Sequence, residues 1–292
     1  KSSKKNIIIS NQNFANVVTI ISLKKIREIK KILIERNHLD ELRFYKNIGD
    51  YIKKKIILIL IKIYYSKSDA IVGISKKLSI DLEKFINSKV STIYNPSFED
   101  KIIRNNREKK IKIKKNKKII LNVGFFEKQK DQITILKSIS ILKNYYKNFL
   151  LILIGRGSEY KNLNKFIKDN NLNKFVKIFK NIENPNLFYK KADLFILSSI
   201  YEGLGNVLVE ALKNNCPVIT SSCNSGPMEI IGNGKYGDFF LPRDHKTLAK
   251  KILNHFQNPK RLKKKLKIPS SHLEKFSLKK NIDNFSELFR RV

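Results

Sequence analysis

The chain has 292 residues, room for about two domains of roughly 150 residues each with its own core, and its hydrophobic content of 41% supports a globular protein. Two cysteines without metal-like spacing exclude a disulfide framework and fit a reducing compartment; neither a signal peptide nor a run of about 20 apolar residues is found, so no membrane-spanning helix is expected. Lys and Arg number 61 against 25 Asp and Glu, a net charge of +36, which attracts polyanions such as nucleic acid or anionic lipid head groups, although a Lys-, Ile- and Asn-rich composition imposed by an AT-rich genome accounts for it equally well.

In chain order, Ile7-Ile8-Ile9 reads as a strand, Phe14 to Ile26 as a helix, and Lys31 to Ile34 as a strand ending in Glu35-Arg36-Asn37-His38. A long helix follows from about Leu42 to Tyr65. Within it IILILI, Ile56 to Ile61, flanked by Lys53, Lys54, Lys55 and Lys62, is too short to cross a membrane and reads as a buried helix or an interfacial one. Next come a strand at Ala70 to Ile74, a helix to Ile86 capped by Ser75, and a strand at Val90 to Tyr94. Asn95-Pro96 marks a stop. The basic run Arg107 to Lys118, REKKIKIKKNKK, reads as a solvated connector or a contact for lipid or nucleic acid, and its lack of aromatic residues argues against nucleic acid. Strands are then expected at 119–123, 150–154, 176–179, 193–197, 217–220 and 237–241. The first of the intervening helices buries Ile135, Ile139, Leu142 and Tyr146, and a final helix capped by Ser277 carries the stripe Leu278, Ile282, Phe285 and Phe289. Alternating strands and helices predict an α/β fold with parallel sheets, divided into residues 1–96, a linker at 97–117, a Rossmann-like unit at 118–276, and the last helix at 277–292.

The most informative stretch is Ser198 to Cys216, SSIYEGLGNVLVEALKNNC, which follows an apolar strand and opens a helix at Asn206. Gly203 and Gly205 would let the loop approach a ligand, and the helix start offers unpaired N–H groups and a positive dipole end to a phosphate. Glu202 lies in the loop and Glu210 more than a turn into the helix. Carboxylates accept hydrogen bonds from paired hydroxyls such as those of sugars and ribose, so the combination indicates a nucleotide sugar. Gly124, Glu202 and Gly226 each follow a predicted strand and should converge on one crevice. Gly155-Arg156-Gly157 lacks the rest of a dinucleotide fingerprint and reads as a tight turn.

Glu202-Gly-Leu-Gly-Asn-Val-Leu-Val-Glu210 resembles the E-x7-E motif of the GT4-type retaining glycosyltransferases, and SDAIVGIS, IYNP, LNVGFFEKQKDQ, LILIGRGSE and SGPMEII follow that family's order. The resemblance implies a GT-B fold, two Rossmann-like domains facing a cleft. The first would be truncated, since it supplies four strands and lacks the family's opening glycine-rich loop. It implies a hexosyltransferase-type enzyme moving a sugar from a nucleoside diphosphate, UDP by expectation, to a glycan or lipid-linked acceptor in envelope polysaccharide assembly. No metal or other cofactor is expected. The setting implied is cytoplasmic, with peripheral contact to an anionic membrane.

Carried over by resemblance, Glu202 and Lys130 are the catalytic pair, with Lys130 on the leaving diphosphate. The donor is held by Gly124, Phe125, Lys128, Lys130, Ile182, Glu202, Gly203, Leu204, Gly205, Asn206 and Glu210, with Glu210 on the ribose and the Asn181-Ile182 loop on the base. Phe125 stands where the family has arginine, and Lys128 is the candidate substitute. Arg36 is an acceptor-side or phosphate contact, or an ion-pair partner of Glu35. The alternatives are a sugar-nucleotide epimerase of the same architecture, a basic nucleic-acid binder, or a non-catalytic nucleotide-sugar binder.

Overall fold

A computed structural model of the chain describes residues 6–99, 117–180, 182 and 184–292; most of the expected linker and the residue Asn181 lie outside them. The first unit comprises β1 (Asn6–Asn11), α1 (Asn13–Ser22), β2 (Ile29–Glu35), α2 (Ile48–Tyr64), β3 (Ala70–Gly73), α3 (Lys76–Ile86) and β4 (Ser91–Thr92). The second begins with β5 (Lys118–Val123), α4 (Gln132–Leu142), β6 (Phe149–Ile154), α5 (Tyr160–Asp169), β7 (Val176–Phe179), α6 (Asn186–Lys191) and β8 (Leu194–Leu197). It continues with α7 (Asn206–Lys213), β9 (Val218–Ser221), α8 (Gly226–Ile230), β10 (Asp238–Phe240), α9 (His245–Gln257), α10 (Pro259–Lys264), α11 (Ser270–Glu274) and α12 (Leu278–Arg291).

Every strand pairing is parallel, in the orders β1-β2-β3-β4 and β10-β9-β8-β5-β6-β7. Parallel strands covered on both faces read as continuous apolar runs, which FLLILI and LFIL are. In the second sheet the order of strands reverses between β5 and β8, so the crevice beyond their carboxyl ends is where such a sheet takes its ligand.

Alternation along the strands of the first sheet sends Leu33 and Ile71 to a layer formed by α1, α2 and α3 through Val17, Ile20, Ile57, Ile61, Leu82 and Ile86. Ile32, Ile34 and Val72 point the other way, into a core that also contains Ile119, Leu121, Phe195 and Phe276 and is covered by Phe285, Leu288 and Phe289 of α12. The two sheets therefore share one apolar core, with the terminal helix returning to residues at the exit of the first unit: Asn281 Nδ2 donates to the Tyr94 carbonyl at 2.8 Å.

Several local expectations change. The long helix predicted from Leu42 starts at Ile48, because Phe44 is extended and the Asn47 side chain accepts from Asp50 N at 2.9 Å, a cap that no earlier residue supplies. The helix from Phe14 stops at Ser22, and α4 stops at Leu142, short of Tyr146. Ile282, expected on the buried stripe of the last helix, is 53% exposed.

Ser75 occupies the first-cap position of α3, yet its hydroxyl is buried and makes no hydrogen bond. The orphan N–H groups of Lys76 and Lys77 are taken instead by the Glu229 carboxylate of α8, at 3.0 and 2.6 Å, and Tyr94 Oη donates to the same carboxylate at 3.0 Å. A carboxylate from the second unit thus closes a helix of the first. Glu229→Ala should lower unfolding stability by about 0.5–2 kcal/mol, the cost of losing a helix cap; a change below a few tenths in urea denaturation would show that solvent replaces the contact freely.

At the end of β2, Glu35 is buried and accepts from Tyr65 Oη and from Asn16 Nδ2 at 3.0 Å. Arg36 is not its partner, which removes that ion pair from the expectations above: the two side chains point to opposite sides of the strand end. Burial pushes the Glu35 carboxyl from 4.5 up to about 7, against the two hydrogen bonds that pull it down. The folded state retains a proton that the unfolded chain releases, so this contribution is fully present below pH 4.5 and lost as pH rises through 7. The loss amounts to roughly 3 kcal/mol. Glu35→Gln should flatten the fall in stability between mildly acidic and mildly alkaline pH; denaturation midpoints with an unchanged slope would refute it.

Candidate functional site

The loop between β8 and α7 is built under two backbone constraints. Gly205 has φ +92°, in the left-handed region, and caps α7. A Cβ on Gly203 would lie 1.7 Å from the Arg36 carbonyl oxygen, so the close approach of the end of β2 from the other sheet by itself requires a glycine here. Gly226, also expected at the crevice, lies instead beneath the loop: its Cβ would meet the main chain of Leu204.

Two loops of the second sheet are joined around an ion pair. Lys130 Nζ bonds Glu202 Oε1 at 2.6 Å, and Ser199 Oγ donates to the same oxygen at 2.6 Å. Ser198 Oγ donates to the Lys130 carbonyl at 2.7 Å, and Gln129 Nε2 to the Tyr201 carbonyl at 2.9 Å. Glu202 is only 5% exposed, so its charge is held by an opposite charge and a hydroxyl rather than by water.

This pair borders a cavity of about 840 Å³ between the carboxyl ends of the two sheets, within the size range of small-molecule sites. Gly124, Phe125, Lys130, Ile182, Glu202, Gly203, Leu204, Gly205 and Asn206 line it from the second unit and Arg36 from the first, so the structure brings most of the predicted residues together. The start of α7 faces the same space through Gly205, Asn206 and Val207, and no side chain caps it, while the Leu208 N–H is already taken by the Gly205 carbonyl at 2.9 Å.

Two predicted residues lie elsewhere. Lys128 borders a separate pocket of about 320 Å³ with Asp131 and Arg243, so it does not substitute for the arginine that Phe125 replaces. Glu210 is absent from the cavity lining; its Oε2 accepts from Tyr189 Oη at 3.0 Å, and burial raises its carboxyl above the ordinary range.

Sequence reasoning missed Asn37, Asn95 and Arg156, which line the cavity. Arg156 sits in the Gly155-Arg156-Gly157 turn at the end of β6, and the signal available was its place just beyond a strand that neighbours β5. Its carbonyl accepts from Phe126 N at 2.8 Å, which ties the turn to the loop after β5. Arg36 and Arg156 are exposed, and neither guanidinium makes an ion pair among the described residues, whereas Lys130 is already neutralised. The cavity therefore carries two uncompensated cations and suits an anion.

His38, the histidine nearest this region, is buried with Nε2 2.8 Å from Asp81 and Nδ1 3.0 Å from Asp40, held within its own unit. Cys216 and Cys223 are buried free thiols. Among the described residues no group of three or more His, Cys, Asp or Glu is arranged to hold a metal ion.

Against this geometry, a model of the family described as glycosyl transferases group 1 matches residues 103–269. Over 241 residues the chain is 32% identical to an uncharacterized glycosyltransferase of Methanocaldococcus jannaschii, covering 78% of this chain and 58% of that protein. It is 28% identical over 254 residues to the Campylobacter jejuni GalNAc-alpha-(1->4)-GalNAc-alpha-(1->3)-diNAcBac-PP-undecaprenol alpha-1,4-N-acetyl-D-galactosaminyltransferase, covering 86% of this chain and 65% of that protein. The chain thus spans less than two thirds of the length of these curated relatives. Among solved structures, Anabaena HepE in complex with UDP-glucose superposes with a TM-score of 0.80 at 16% identity, covering 98% of this chain and 79% of that one. Two parallel sheets facing a cleft, with the last helix crossing back, form the GT-B fold, and this chain belongs to the glycosyl transferases group 1 family.

Proposed function

We propose that the protein is a retaining glycosyltransferase that moves a sugar from a nucleoside diphosphate to a hydroxyl of a glycan or lipid-linked saccharide during envelope polysaccharide assembly. The donor proposed is a UDP-linked hexose or N-acetylhexosamine, and the place of work the cytoplasmic face of an anionic membrane. The observation that carries the proposal is the Lys130–Glu202 pair at the edge of a cleft that also holds the start of α7 and two arginines without an ion pair among the described residues. The names of the relatives support the substrate class: the Campylobacter enzyme is named for an undecaprenol-linked acceptor and HepE was solved with UDP-glucose.

In this reading the donor diphosphate lies at the start of α7, where the helix amides meet its oxygens. Lys130 is handed from Glu202 to the diphosphate as charge develops on the departing oxygen, and Glu202 is released to the hydroxyls of the transferred sugar. Arg156 supplies the second fixed cation that Phe125 does not, and Arg36 bears on the phosphate or the acceptor from the opposite wall. Glu210 stands outside the cavity lining with one oxygen on Tyr189, so its assignment to the ribose has the donor extend past that lining to the other oxygen; Ile182 is assigned to the nucleobase. The bond from the sugar carbon to the diphosphate oxygen breaks, the acceptor oxygen bonds to that carbon on the face the leaving group vacates, and the acceptor proton passes to the departing diphosphate oxygen, which retains configuration. These cations do the work for which other transferases use a metal, and no cofactor is invoked.

A thermal-shift series with nucleoside diphosphates tests donor binding, since a ligand at 100 times its dissociation constant stabilises by about 2.7 kcal/mol. UDP should shift the transition and Arg156→Ala should reduce that shift; no shift with any nucleoside diphosphate would remove the donor site. In turnover, Lys130→Ala and Glu202→Ala should each cut kcat roughly a hundredfold to a thousandfold, the range for losing one transition-state contact. Glu210→Ala should act mainly on KM. Near-normal rates in folded Lys130→Ala and Glu202→Ala would show that this loop is not the catalytic centre.

A further inference from the structure

The outer face of α2 is apolar along its whole length. Ile48, Ile52, Ile56, Ile59 and Ile63 are between 48% and 79% exposed, and their spacing of four, four, three and four residues places them on one stripe roughly 23 Å long. Ile57 and Ile61, the residues that α2 buries against the first sheet, lie on the opposite side of the helix. Phe14, Val18 and Ile21 on the neighbouring α1 are exposed as well, and Lys53 Nζ lies 5.2 Å from the Phe14 ring centroid. Single exposed apolar residues are ordinary on a protein surface; five isoleucines along one face of a helix, with further exposed apolar residues on the neighbouring helix, mark a contact with something.

The charge beside the stripe says what that something is. Lys53, Lys55 and Lys62 are exposed, with Lys55 and Lys62 flanking the stripe along one side of the helix and Lys53 on the other. An apolar strip bordered by lysines on a chain of net charge +36 matches the two components of an anionic bilayer surface: acyl chains at the boundary and negative head groups above them. A protein partner would have to be both apolar and acidic over the same length. The helix is also placed for use. Phe44, in the segment that leads into α2, stacks on Tyr201 at 5.1 Å, which ties that segment to the loop that carries Glu202.

We infer that the isoleucine face of α2 is the surface by which this protein lies on an anionic membrane, with the helix parallel to the bilayer plane. Among the described residues no helix is long and apolar enough to cross a membrane, and α2 is used edge-on rather than end-on. The inference rests on the membrane contact proposed above and assigns it to one face.

The chain contains no tryptophan, so Ile56→Trp introduces a single reporter at the middle of the stripe. Its emission should shift to the blue on adding phosphatidylcholine vesicles that contain phosphatidylglycerol, and much less with phosphatidylcholine alone or at high salt. In vesicle sedimentation the triple substitution Ile52→Ser, Ile56→Ser, Ile59→Ser should lower binding at least about tenfold while leaving the melting temperature and the UDP response unchanged. If the triple variant binds anionic vesicles as well as the parent chain, the membrane contact stands and α2 is not its surface. If the parent chain ignores anionic vesicles, both fail. Light scattering that shows a dimer dissolved by the same three substitutions would assign the face to a second copy and overturn the inference.

Discussion

The placement of the candidate site depends on how closely two sheets can approach, and that approach is set by the contact of Glu229 with the start of α3. Its carboxylate satisfies two main-chain donors of the first unit and accepts the Tyr94 hydroxyl, so a helix end that would otherwise need its own cap is completed across the cleft. Beside it, Gly203 lets the Arg36 carbonyl come within a distance that no side chain would permit. A hydrogen-bonded carboxylate and a missing Cβ are both short-range constraints. Together they place the end of β2 against the loop that carries Glu202, and so place the cavity.

The electrostatics of that cavity follow from which charges find partners. Glu202 is nearly buried and holds Lys130, an arrangement that costs desolvation and is offset by the ion pair and the Ser199 hydroxyl. Arg36 and Arg156 reach the same space with no ion-pair partner among the described residues. A cleft in which one cation is neutralised by a removable carboxylate and two are not favours a ligand with several negative oxygens over a neutral one. Entry of such a ligand would compete for Lys130 and change the environment of Glu202 at the same time, which couples binding to the positioning of the carboxylate.

The same division between paired and unpaired groups holds on the surface. Acidic side chains are often taken up locally: Asp238 by Lys251, Arg261 and Lys265, Asp69 by Lys30, Asp193 by Lys118. With more than twice as many basic residues as acidic ones, most lysines remain solvated, and the apolar stripe of α2 lies among them. Excess charge keeps such a surface apart from other copies of the same chain while favouring an anionic one.

Much of the architecture was legible in the sequence because it rests on local patterning. Continuous apolar runs marked the six strands of the second sheet to within a residue or two, and helical spacing marked the helices between them. The Glu202 loop and the Lys130 loop were also legible, since ligand positions in a parallel sheet lie just beyond strand ends and the order of strands along the chain locates those ends. What the sequence did not determine is every feature that depends on residues distant along the chain meeting in space. Ser75 looks like a cap and is not, because Glu229 arrives from 153 residues away. Gly203 lines the cavity as its place in the loop suggests, but that its lack of a Cβ also admits the Arg36 carbonyl was not legible. Lys128 is two positions from Lys130 yet faces another pocket, while Arg156 enters the cavity from a turn that the sequence marked only as a turn. Local periodicity is written in neighbouring residues, so the sequence alone decided the sheets and helices; capping partners, close backbone approaches and the direction of a charged side chain are set by contacts between distant segments, and only the tertiary structure decided those.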